Sequence, residues 1–482
     1  MEGEQLLHIL AVPFPAQSHI SALMHLCKRI AACRPRQVAI TFVNVDSIHE
    51  QMALRWSAPD HGLHIRLASV PFPWNIPSGY DAYCAANNGL FADTLEKLLP
   101  RLLKSLAAIQ ATPVRCILSD YFLPATQHVA DELGVPRVAF LSGNASWASI
   151  EFHIPELSAR KHVFAQDQSD CLIDYIGGLP PILKSDLPAY LQKHTDELWI
   201  ERAQTRSPSI RKAAWVLVNS FYPLERQPFD FMRAQLGEKF LPVGPLSSSG
   251  DAKTRTSESN TDTALRAEDA DCLSWLSTKP KSSVLYISFG SIAVLTQAQF
   301  WELAGALDSC RDVPFLWVVR PQLVIGGLDD ESFTAFCRSV GDRGRVISWA
   351  PQLQVLKHPS TGGFLTHCGW NSMLESISGG VPMLGWPWAG EQNTNCRLMV
   401  DEWKIGAELP VKNTDSVPRE EIARVIKLVM DGKSRRAEEI RTKVEQLKAA
   451  TAKAVEDADR NLLAMLEELS SVAVGTPAND SL

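Results

Sequence analysis

The stretch from Trp349 to Gln392 concentrates side chains that suit a phosphate-bearing ligand. Within it, a short apolar strand leads through a turn at His367 into a helix predicted from Asn371 to Ser378. A helix that begins at such a turn presents backbone N–H groups and the positive end of its dipole, which bind anions. Asn371 and Ser372 add side-chain donors, so we expect the turn to hold a diphosphate.

The same residues also fit an ordinary helix start, because Ser372 and Glu375 have the spacing of a capping box. Trp349 favours the ligand interpretation, since its indole can stack on a nucleobase. Glu391 and Gln392 follow the next predicted strand, at the sheet edge where doubly wound folds bind ligands. Along the sequence, a platform for the base is thus followed by a turn for the phosphates, an acceptor for the ribose and a polar pair for hydroxyl groups.

A candidate proton-transfer pair comes from the first half of the chain. His19 follows the first predicted strand, Leu6 to Val12, and Asp120 ends another strand. Imidazole has an ordinary pKa of about 6.5, which suits a general base, and an Asp can orient it and stabilise its protonated form. Each residue also has a structural alternative: His19 as a surface residue at a helix start, and Asp120 as the cap of a helix near Pro124.

The stretch 349–392 resembles the signature box of plant-type, family 1 UDP-dependent glycosyltransferases. The resemblance implies that Trp349 stacks on uracil, that Glu375 binds the ribose hydroxyls and that the final acidic residue and Gln hold the sugar. It makes His19 the catalytic base and Asp120 its partner. The residues that it implies for UDP-sugar binding are Ser291, Trp349, Ala350, Gln352, His367, Trp370, Asn371, Ser372, Glu375, Glu391 and Gln392.

The resemblance also implies a fold and an activity. The fold is α/β, namely GT-B, with two doubly wound Rossmann-like lobes and the active site in the cleft between them. The activity is inverting transfer of a glucosyl group from UDP-glucose to a hydroxyl of a small lipophilic acceptor, with no cofactor and no metal. Gln392 favours glucose, because a Gln at this position accompanies glucose in the family. Galactose, xylose or glucuronate as the sugar, and a non-catalytic UDP-sugar-binding module, are the alternatives.

The acceptor is expected to be a flavonoid or another phenolic compound, as in plant secondary metabolism. Residues expected to bind it are Phe14, Phe122, Ser142 and Trp147. Two loop-like stretches, 80–88 and 153–200, are predicted as irregular and as carriers of binding surface. The loop before His19 departs from the family pattern, with Ser18 where the family usually has Gly.

Composition limits the function classes. The chain of 482 residues is 45% apolar and 21% charged with a net charge of −7, and its basic residues are scattered, which argues against a nucleic-acid partner. No G-x-G spacing is present, so neither a dinucleotide fingerprint nor a P-loop is predicted. No apolar run is long enough to span a membrane. The ten cysteines lack metal-binding spacing, and we expect a monomer in the cytoplasm with reduced thiols.

The domain organisation follows from a composition shift. Residues 247–263 carry almost no apolar side chains and are predicted as an exposed linker. Strands alternate with amphipathic helices on both sides of it, which indicates parallel sheets. We therefore predict an acceptor-binding lobe at 1–246, the linker at 247–263, a UDP-sugar-binding lobe at 264–456, and a helix with a tail at 457–482 that returns to the first lobe.

Overall fold

The chain divides into two compact units. One contains Met1–Ile182, Lys193–Leu265 and Lys453–Leu482, and the other contains Leu183–Gln192 and Arg266–Ala452. The segment Leu183–Gln192 thus belongs to the second unit, although it lies within the range 1–246 predicted for the first lobe. The computed structural model describes residues 6–54, 56, 63–73, 89–110, 112–163, 170–192, 197–246, 271–290, 295–321, 324–410, 417–432 and 434–471. The predicted linker and Ser291 lie outside these ranges.

The first unit is built on a seven-stranded parallel sheet with the spatial order β3-β2-β1-β4-β5-β8-β9. All six residues of β1 are buried, as expected for a parallel strand that is covered on both faces. The strands are β1 (Leu7–Val12), β2 (Val38–Val45), β3 (His64–Val70), β4 (Cys116–Asp120), β5 (Arg137–Leu141), β8 (Trp215–Val218) and β9 (Phe240–Pro242). Two further two-residue strands, β6 (Leu172–Ile173) and β7 (Ile182–Leu183), lie outside this sheet.

The second unit is built on a six-stranded parallel sheet with the order β12-β11-β10-β13-β14-β15. Its strands are β10 (Val284–Ser288), β11 (Phe315–Val318), β12 (Gly344–Ile347), β13 (Thr361–Thr366), β14 (Met383–Gly385) and β15 (Gly406–Glu408). A separate apolar core lies against it, around Phe300, Phe315 and Trp317. Each unit therefore has its own sheet and its own core.

Helices fill the connections between the strands. In the first half they are α1 (Gln17–Cys33), α2 (Asp46–Ala53), α3 (Gly89–Ala108), α4 (Thr126–Leu133), α5 (Ala145–Phe152), α6 (Ile154–Ala159), α7 (Ala189–Gln192), α8 (Glu197–Lys212) and α9 (Arg226–Leu236). In the second half they are α10 (Asp271–Leu276), α11 (Gln297–Ser309), α12 (Asp330–Val340), α13 (Gln352–Lys357), α14 (Trp370–Gly379), α15 (Gln392–Arg397), α16 (Arg419–Met430) and α17 (Arg435–Ser471). In the described part of the chain, none of them is long and apolar enough to cross a membrane.

The two sheets share one topology. In each, the first strand in sequence lies in the interior, the next two add on one side and the later strands on the other. The order reverses between β1 and β4 in the first sheet and between β10 and β13 in the second. Doubly wound sheets bind ligands at such switch points, at the carboxyl ends of the strands. The fold thus defines one expected binding position in each unit.

The predicted irregular stretch 153–200 is partly helical. It contains α6, α7 and the start of α8 besides β6 and β7. The prediction was wrong there because Pro and Gly interrupt the apolar periodicity, whereas short helices can be stabilised by tertiary packing. Residues 80–88 lie outside the described part of the chain.

Candidate active site

Each unit carries one group of candidate residues, and the first group lies at the switch point of the first sheet. His19 is in the first turn of α1, and Asp120 is the last residue of β4, which pairs with β1. A 2.8 Å hydrogen bond joins His19 Nδ1 to Asp120 Oδ2. The side chain of Asp120 is 1% exposed and that of His19 is 19% exposed. Because a carboxylate accepts the Nδ1 proton, the lone pair of the neutral imidazole is on Nε2.

Further contacts fix this pair in place. The Oγ atom of Ser142 lies 3.1 Å from His19 Nδ1. The other carboxylate oxygen of Asp120, Oδ1, accepts the backbone N–H of Phe122 at 2.9 Å. The backbone N–H of Ala125, the N-cap residue of α4, donates to Glu96 Oε2 at 2.8 Å, so Asp120 does not act as the cap considered above. Its carboxylate instead orients the imidazole.

Aromatic rings surround the imidazole. The rings of Phe14 and Phe122 each lie 5.4 Å from that of His19, in edge-to-face arrangements. Phe122 stacks on Trp147 with a centroid distance of 5.7 Å. Phe14 and Trp147 are buried, with 7% and 4% of their surface exposed, whereas Phe122 is half-buried. Of these three rings, Phe122 offers the most surface to an acceptor.

The second group lies at the switch point of the second sheet. Helix α14 begins at Trp370, after a turn that follows β13, and its N-cap residue is Gly369. Glycine has no side chain to cover the first N–H groups of the helix, so the dipole favours an anion there. Since Ser372 lies inside the helix rather than at its N-cap, the capping-box interpretation of Ser372 and Glu375 is wrong. Asn371 is half-buried in the first turn and Ser372 is buried.

His367 differs from His19 in its surroundings. Its side chain is half-buried, but its Nδ1 atom is buried and has no hydrogen-bond partner among the described residues. Burial lowers the pKa of His367 to about 4, so its imidazole is neutral near pH 7. A buried polar atom without a partner costs free energy. A ligand oxygen at Nδ1 would relieve that cost.

Two glycines make room for this imidazole. A Cβ atom at Gly290 would lie 2.7 Å from Cε1 of His367, and one at Gly369 would lie 2.3 Å from its Nε2. Gly290 also has a φ of +75°, which disfavours other residues. Gly290 follows β10 and Gly369 follows β13, so both strands at the switch point contribute a glycine to the space around the imidazole.

A network of hydrogen bonds links three of the predicted nucleotide-binding residues. The Nε2 atom of Gln352 donates to Glu375 Oε2 at 2.8 Å and to Ser372 Oγ at 3.0 Å. The hydroxyl of Tyr286 donates to Gln352 Oε1 at 3.2 Å, which fixes the orientation of the amide. The carboxylate of Glu375 is thereby held in a defined position, as a selective acceptor for hydroxyl groups requires.

The predicted base platform is accessible, whereas the second indole is not. Trp349 is half-buried, and the guanidinium of Arg320 lies 5.8 Å from its ring centroid. Ala350 is buried beside it, with 7% of its surface exposed. Trp370 is only 3% exposed and packs against Trp403 at a centroid distance of 5.9 Å.

The polar pair at the end of the stretch is held by its own backbone and by α15. Oε1 of Gln392 accepts the N–H groups of Trp388 and Ala389 at 2.9 and 2.8 Å. Since the amide oxygen is used in this way, Nε2 is the group of Gln392 that can donate to a ligand. Glu391 Oε1 accepts from Nδ2 of Asn395 at 3.3 Å.

Known proteins resemble this chain over most of its length. The family described as "UDP-glucoronosyl and UDP-glucosyl transferase" matches residues 260–444. The chain is 33% identical to 7-deoxyloganetin glucosyltransferase of Catharanthus roseus, over 98% of this chain and 97% of that protein. It is also 33% identical to UDP-glycosyltransferase 85A1 of Arabidopsis thaliana, over 95% of this chain and 94% of that protein. The chain belongs to the plant-type, family 1 UDP-dependent glycosyltransferases.

Solved structures extend the assignment to the fold. A UDP-glucosyltransferase of Polygonum tinctorium superposes with a TM-score of 0.78 at 28% identity, covering 98% of this chain and 100% of that chain. The glycosyltransferase therefore has the GT-B fold, and its two sheets are those of the two Rossmann-like lobes. The predictions of family, enzyme class and fold are confirmed. The roles of the individual site residues stay predictions.

Several residues of this glycosyltransferase escaped the sequence analysis. Tyr286 orients Gln352 from within a buried strand, and Asn395 donates to Cys368 O at 3.0 Å besides its bond to Glu391. Neither position differs in pattern from ordinary core residues, so no sequence signal marks them. The same holds for Arg206, whose guanidinium lies 4.7 Å from the centroid of the Phe122 ring and which forms a buried ion pair with Glu151 at 3.2 Å.

In the part of the chain that the structure describes, no group of three or more His, Cys, Asp or Glu side chains could hold a metal ion. None of the nine described cysteines forms a disulfide.

Proposed function

We propose that this glycosyltransferase transfers a glucosyl group from UDP-glucose to a hydroxyl of a small lipophilic acceptor, with inversion at the anomeric carbon. The observation that carries the proposal is the 2.8 Å hydrogen bond between His19 Nδ1 and Asp120 Oδ2 at a sheet switch point. A base oriented by a buried carboxylate is what the activation of an alcohol needs. The names of the Catharanthus and Polygonum relatives, both glucosyltransferases, support glucose as the sugar.

The reaction is a single displacement. Nε2 of His19 takes the proton of the acceptor hydroxyl as its oxygen bonds to the anomeric carbon, on the face opposite the diphosphate. The bond between that carbon and the diphosphate oxygen breaks, and its electron pair leaves with UDP. Asp120 stabilises the imidazolium that forms. One displacement turns an α-linked donor into a β-O-glucoside, and the base contributes about 10² to 10⁴ in rate.

The leaving diphosphate needs positive potential. The start of α14, with Asn371 and Ser372, and the buried Nδ1 of His367 supply donors and a helix dipole without a net charge. In the proposed scheme Ser291 adds a hydroxyl to the same phosphates, and the reaction requires neither a metal ion nor another cofactor. Turnover that is unchanged after treatment with EDTA and gel filtration is the expected result, and loss of turnover that Mg²⁺ or Mn²⁺ restores would contradict the scheme.

The proposed contacts with the uracil, ribose and glucose of the donor are those of the family. Trp349 stacks on uracil beside Ala350, Glu375 accepts the ribose hydroxyls, and Glu391 with Gln392 binds the glucose hydroxyls. The half-buried indole of Trp349 and the fixed carboxylate of Glu375 support these roles. Trp370 is buried, so its contribution is to support the turn rather than to offer an open surface.

The proposed acceptor is a flat phenolic compound such as a flavonoid. The rings of Phe14, Phe122 and Trp147 around His19 support a flat apolar aglycone, and Ser142 offers a hydroxyl beside the imidazole. The Polygonum protein is described as capable of glucosylating indoxyl, which is consistent with an aromatic acceptor. We further propose that the enzyme works as a cytoplasmic monomer, and the absence of disulfides among its described cysteines fits a reducing compartment.

The test is incubation of the purified protein with UDP-glucose and a panel of flavonoids, simple phenols and terpenoid alcohols. Mass spectrometry measures the conjugates, an assay of UDP measures turnover, and His19→Ala serves as the control without base. A gain of one hexose on phenolic members, with β-linkage by NMR, is expected. Conjugates that form only with UDP-galactose, UDP-xylose or UDP-glucuronate would overturn the assignment of glucose. An α-linked product would overturn the single displacement.

A further inference from the structure

The segment Leu183–Gln192, called the 183–192 segment below, is distant in sequence from the rest of the second unit. It is held together by bonds of its own. Asp186 Oδ2 accepts the N–H of Leu183 at 3.0 Å, and Nε2 of Gln192 donates to Ser185 O at 2.9 Å. These internal bonds give the ten-residue stretch a defined conformation.

This segment contacts the part of the second unit that carries Glu391 and Gln392. The backbone N–H of Ala189 donates to Gly390 O at 2.7 Å. From α15, Oγ1 of Thr394 donates to Asp186 O at 2.7 Å, and the Thr394 side chain is fully buried. The Nε atom of Arg397 lies 3.5 Å from Asp186 Oδ2. The segment is therefore bonded both to the turn before Glu391 and to the helix that begins at Gln392.

These bonds restrain the turn 388–392 from a second side. Within the turn, the side chain of Gln392 already accepts two backbone N–H groups. Gly390 has a φ of +61°. Because glycine has no Cβ, its own backbone preferences restrain this turn only weakly. The bond from Ala189 to Gly390 O fixes the orientation of the peptide group that precedes Glu391. The positions of both polar side chains thus depend on residues outside the signature stretch.

We propose that the 183–192 segment determines donor-sugar specificity, with Ala189 and Thr394 as positioning residues. The proposal rests on the proposed function, in which Glu391 and Gln392 bind the sugar hydroxyls. Sugars that differ in the orientation of one hydroxyl are distinguished by the directions of a few hydrogen bonds. A turn that is restrained on both sides keeps those directions fixed, and a turn restrained on one side tolerates more than one sugar.

The first test replaces Thr394 by Val, which keeps the shape and removes the bond to Asp186 O. Loss of one buried hydrogen bond corresponds to about a two- to tenfold effect on binding. We expect KM for UDP-glucose to rise by about that factor and the preference for UDP-glucose over UDP-galactose to fall. The Kd of UDP, which lacks the glucosyl group, should stay within about twofold, since the phosphate turn is unchanged.

The matched control is Thr361→Val. Thr361 is also buried in the second unit, and its Oγ1 also donates to a backbone oxygen, that of Val355, at 2.6 Å. It lies at the amino end of β13, away from the ligand edge. Thr361→Val should lower thermal stability about as much as Thr394→Val and leave sugar preference unchanged.

A second pair of variants tests the backbone bond. Ala189 is the first residue of α7, a position that accepts proline, and Ala189→Pro removes the N–H that bonds to Gly390 O. Ala189→Gly keeps that N–H. Ala189→Pro should shift sugar preference as Thr394→Val does, whereas Ala189→Gly should not.

The outcomes separate this proposal from the function on which it rests. Wild-type protein that neither binds nor turns over UDP-sugars would overturn the proposed function and the proposal with it. Wild-type protein that discriminates between sugars, with Thr394→Val and Ala189→Pro indistinguishable from their controls, would overturn the proposal alone. Equal weakening of UDP and UDP-glucose in the two variants would also overturn it, because the segment would then support the unit as a whole.

Discussion

Each of the two sheets has a histidine near its switch point, and the two histidines have different neighbours. In the first unit, His19 follows β1 and meets the carboxylate of Asp120 at the end of β4. In the second unit, His367 follows β13 and meets Gly290 after β10. One imidazole has an anionic partner. The other has a buried Nδ1 with no hydrogen-bond partner in the described part of the chain, and its pKa is about 4.

The difference shows how one topology supports two kinds of chemistry. A histidine bonded to a carboxylate is suited to gain a proton, because the charge that forms is stabilised. A buried histidine without a carboxylate stays neutral and is suited to hydrogen-bond an anionic ligand. The neighbouring strand end carries a carboxylate in one unit and is followed by a glycine in the other.

Removal of the first histidine should have the largest effect. We expect His19→Ala to lower kcat by about 10² to 10⁴, because the acceptor hydroxyl loses its base. The Kd of UDP should be unchanged, since the first unit does not carry the nucleotide residues in the proposed scheme. Steady-state kinetics with calorimetry of UDP binding measures both. An active His19→Ala enzyme would contradict the assignment of the base.

Removal of the second histidine should affect binding instead. We expect His367→Ala to raise the Kd of UDP by roughly ten- to a hundredfold, as for the loss of a hydrogen bond to a charged group. The kcat at saturating donor should fall less than in His19→Ala. Calorimetry of UDP together with kinetics at saturating UDP-glucose distinguishes the two variants. If His367→Ala bound UDP as tightly as wild type, the proposed contact with the diphosphate would be wrong.

The glycine that faces His367 gives a third test. Gly290→Ala places a Cβ atom where only 2.7 Å separates it from the imidazole, at a φ of +75°. We expect a loss of about 1–3 kcal/mol of stability together with weaker UDP binding. Differential scanning fluorimetry and UDP titration measure these changes. Gly327→Ala is the control, since that glycine also has a positive φ, of +73°, but no atom of the described residues lies within 4 Å of its added Cβ.

The smallest expected effect is on the pH dependence of stability. The folded-state pKa of His367, about 4, lies below the ordinary value of 6.5, so the folded state favours the neutral imidazole. Its contribution to stability is present above pH 6.5 and is lost as the pH falls towards 4. His8, whose pKa is lowered mainly by burial, acts in the same direction. Between pH 7 and 4.5, the unfolding temperature of His367→Gln should therefore fall by a few degrees less than that of wild type. Equal slopes would contradict the lowered pKa.

Buried parallel strands are predictable because they are continuous apolar runs. The first predicted strand, Leu6 to Val12, agrees with β1 (Leu7–Val12) to within one residue. Short helices such as Ala145–Phe152 and Gln392–Arg397 were missed. Polar side chains and tertiary contacts, rather than an apolar stripe, define them: Asn144 caps the first, and the 183–192 segment supports the second.

The sequence by itself determined the family, the strand–helix alternation and the candidate nucleotide residues, since those residues lie within one stretch and carry recognisable side chains. Only the tertiary structure decided that His19 bonds to Asp120, one hundred and one positions away, and that Gly290 encloses His367. It also decided that a segment from the first half of the chain restrains the turn before Glu391. The physical reason is that hydrogen-bond partners are set by distance and direction in the folded chain, and strand order brings together residues whose separation in sequence carries no information about their contact.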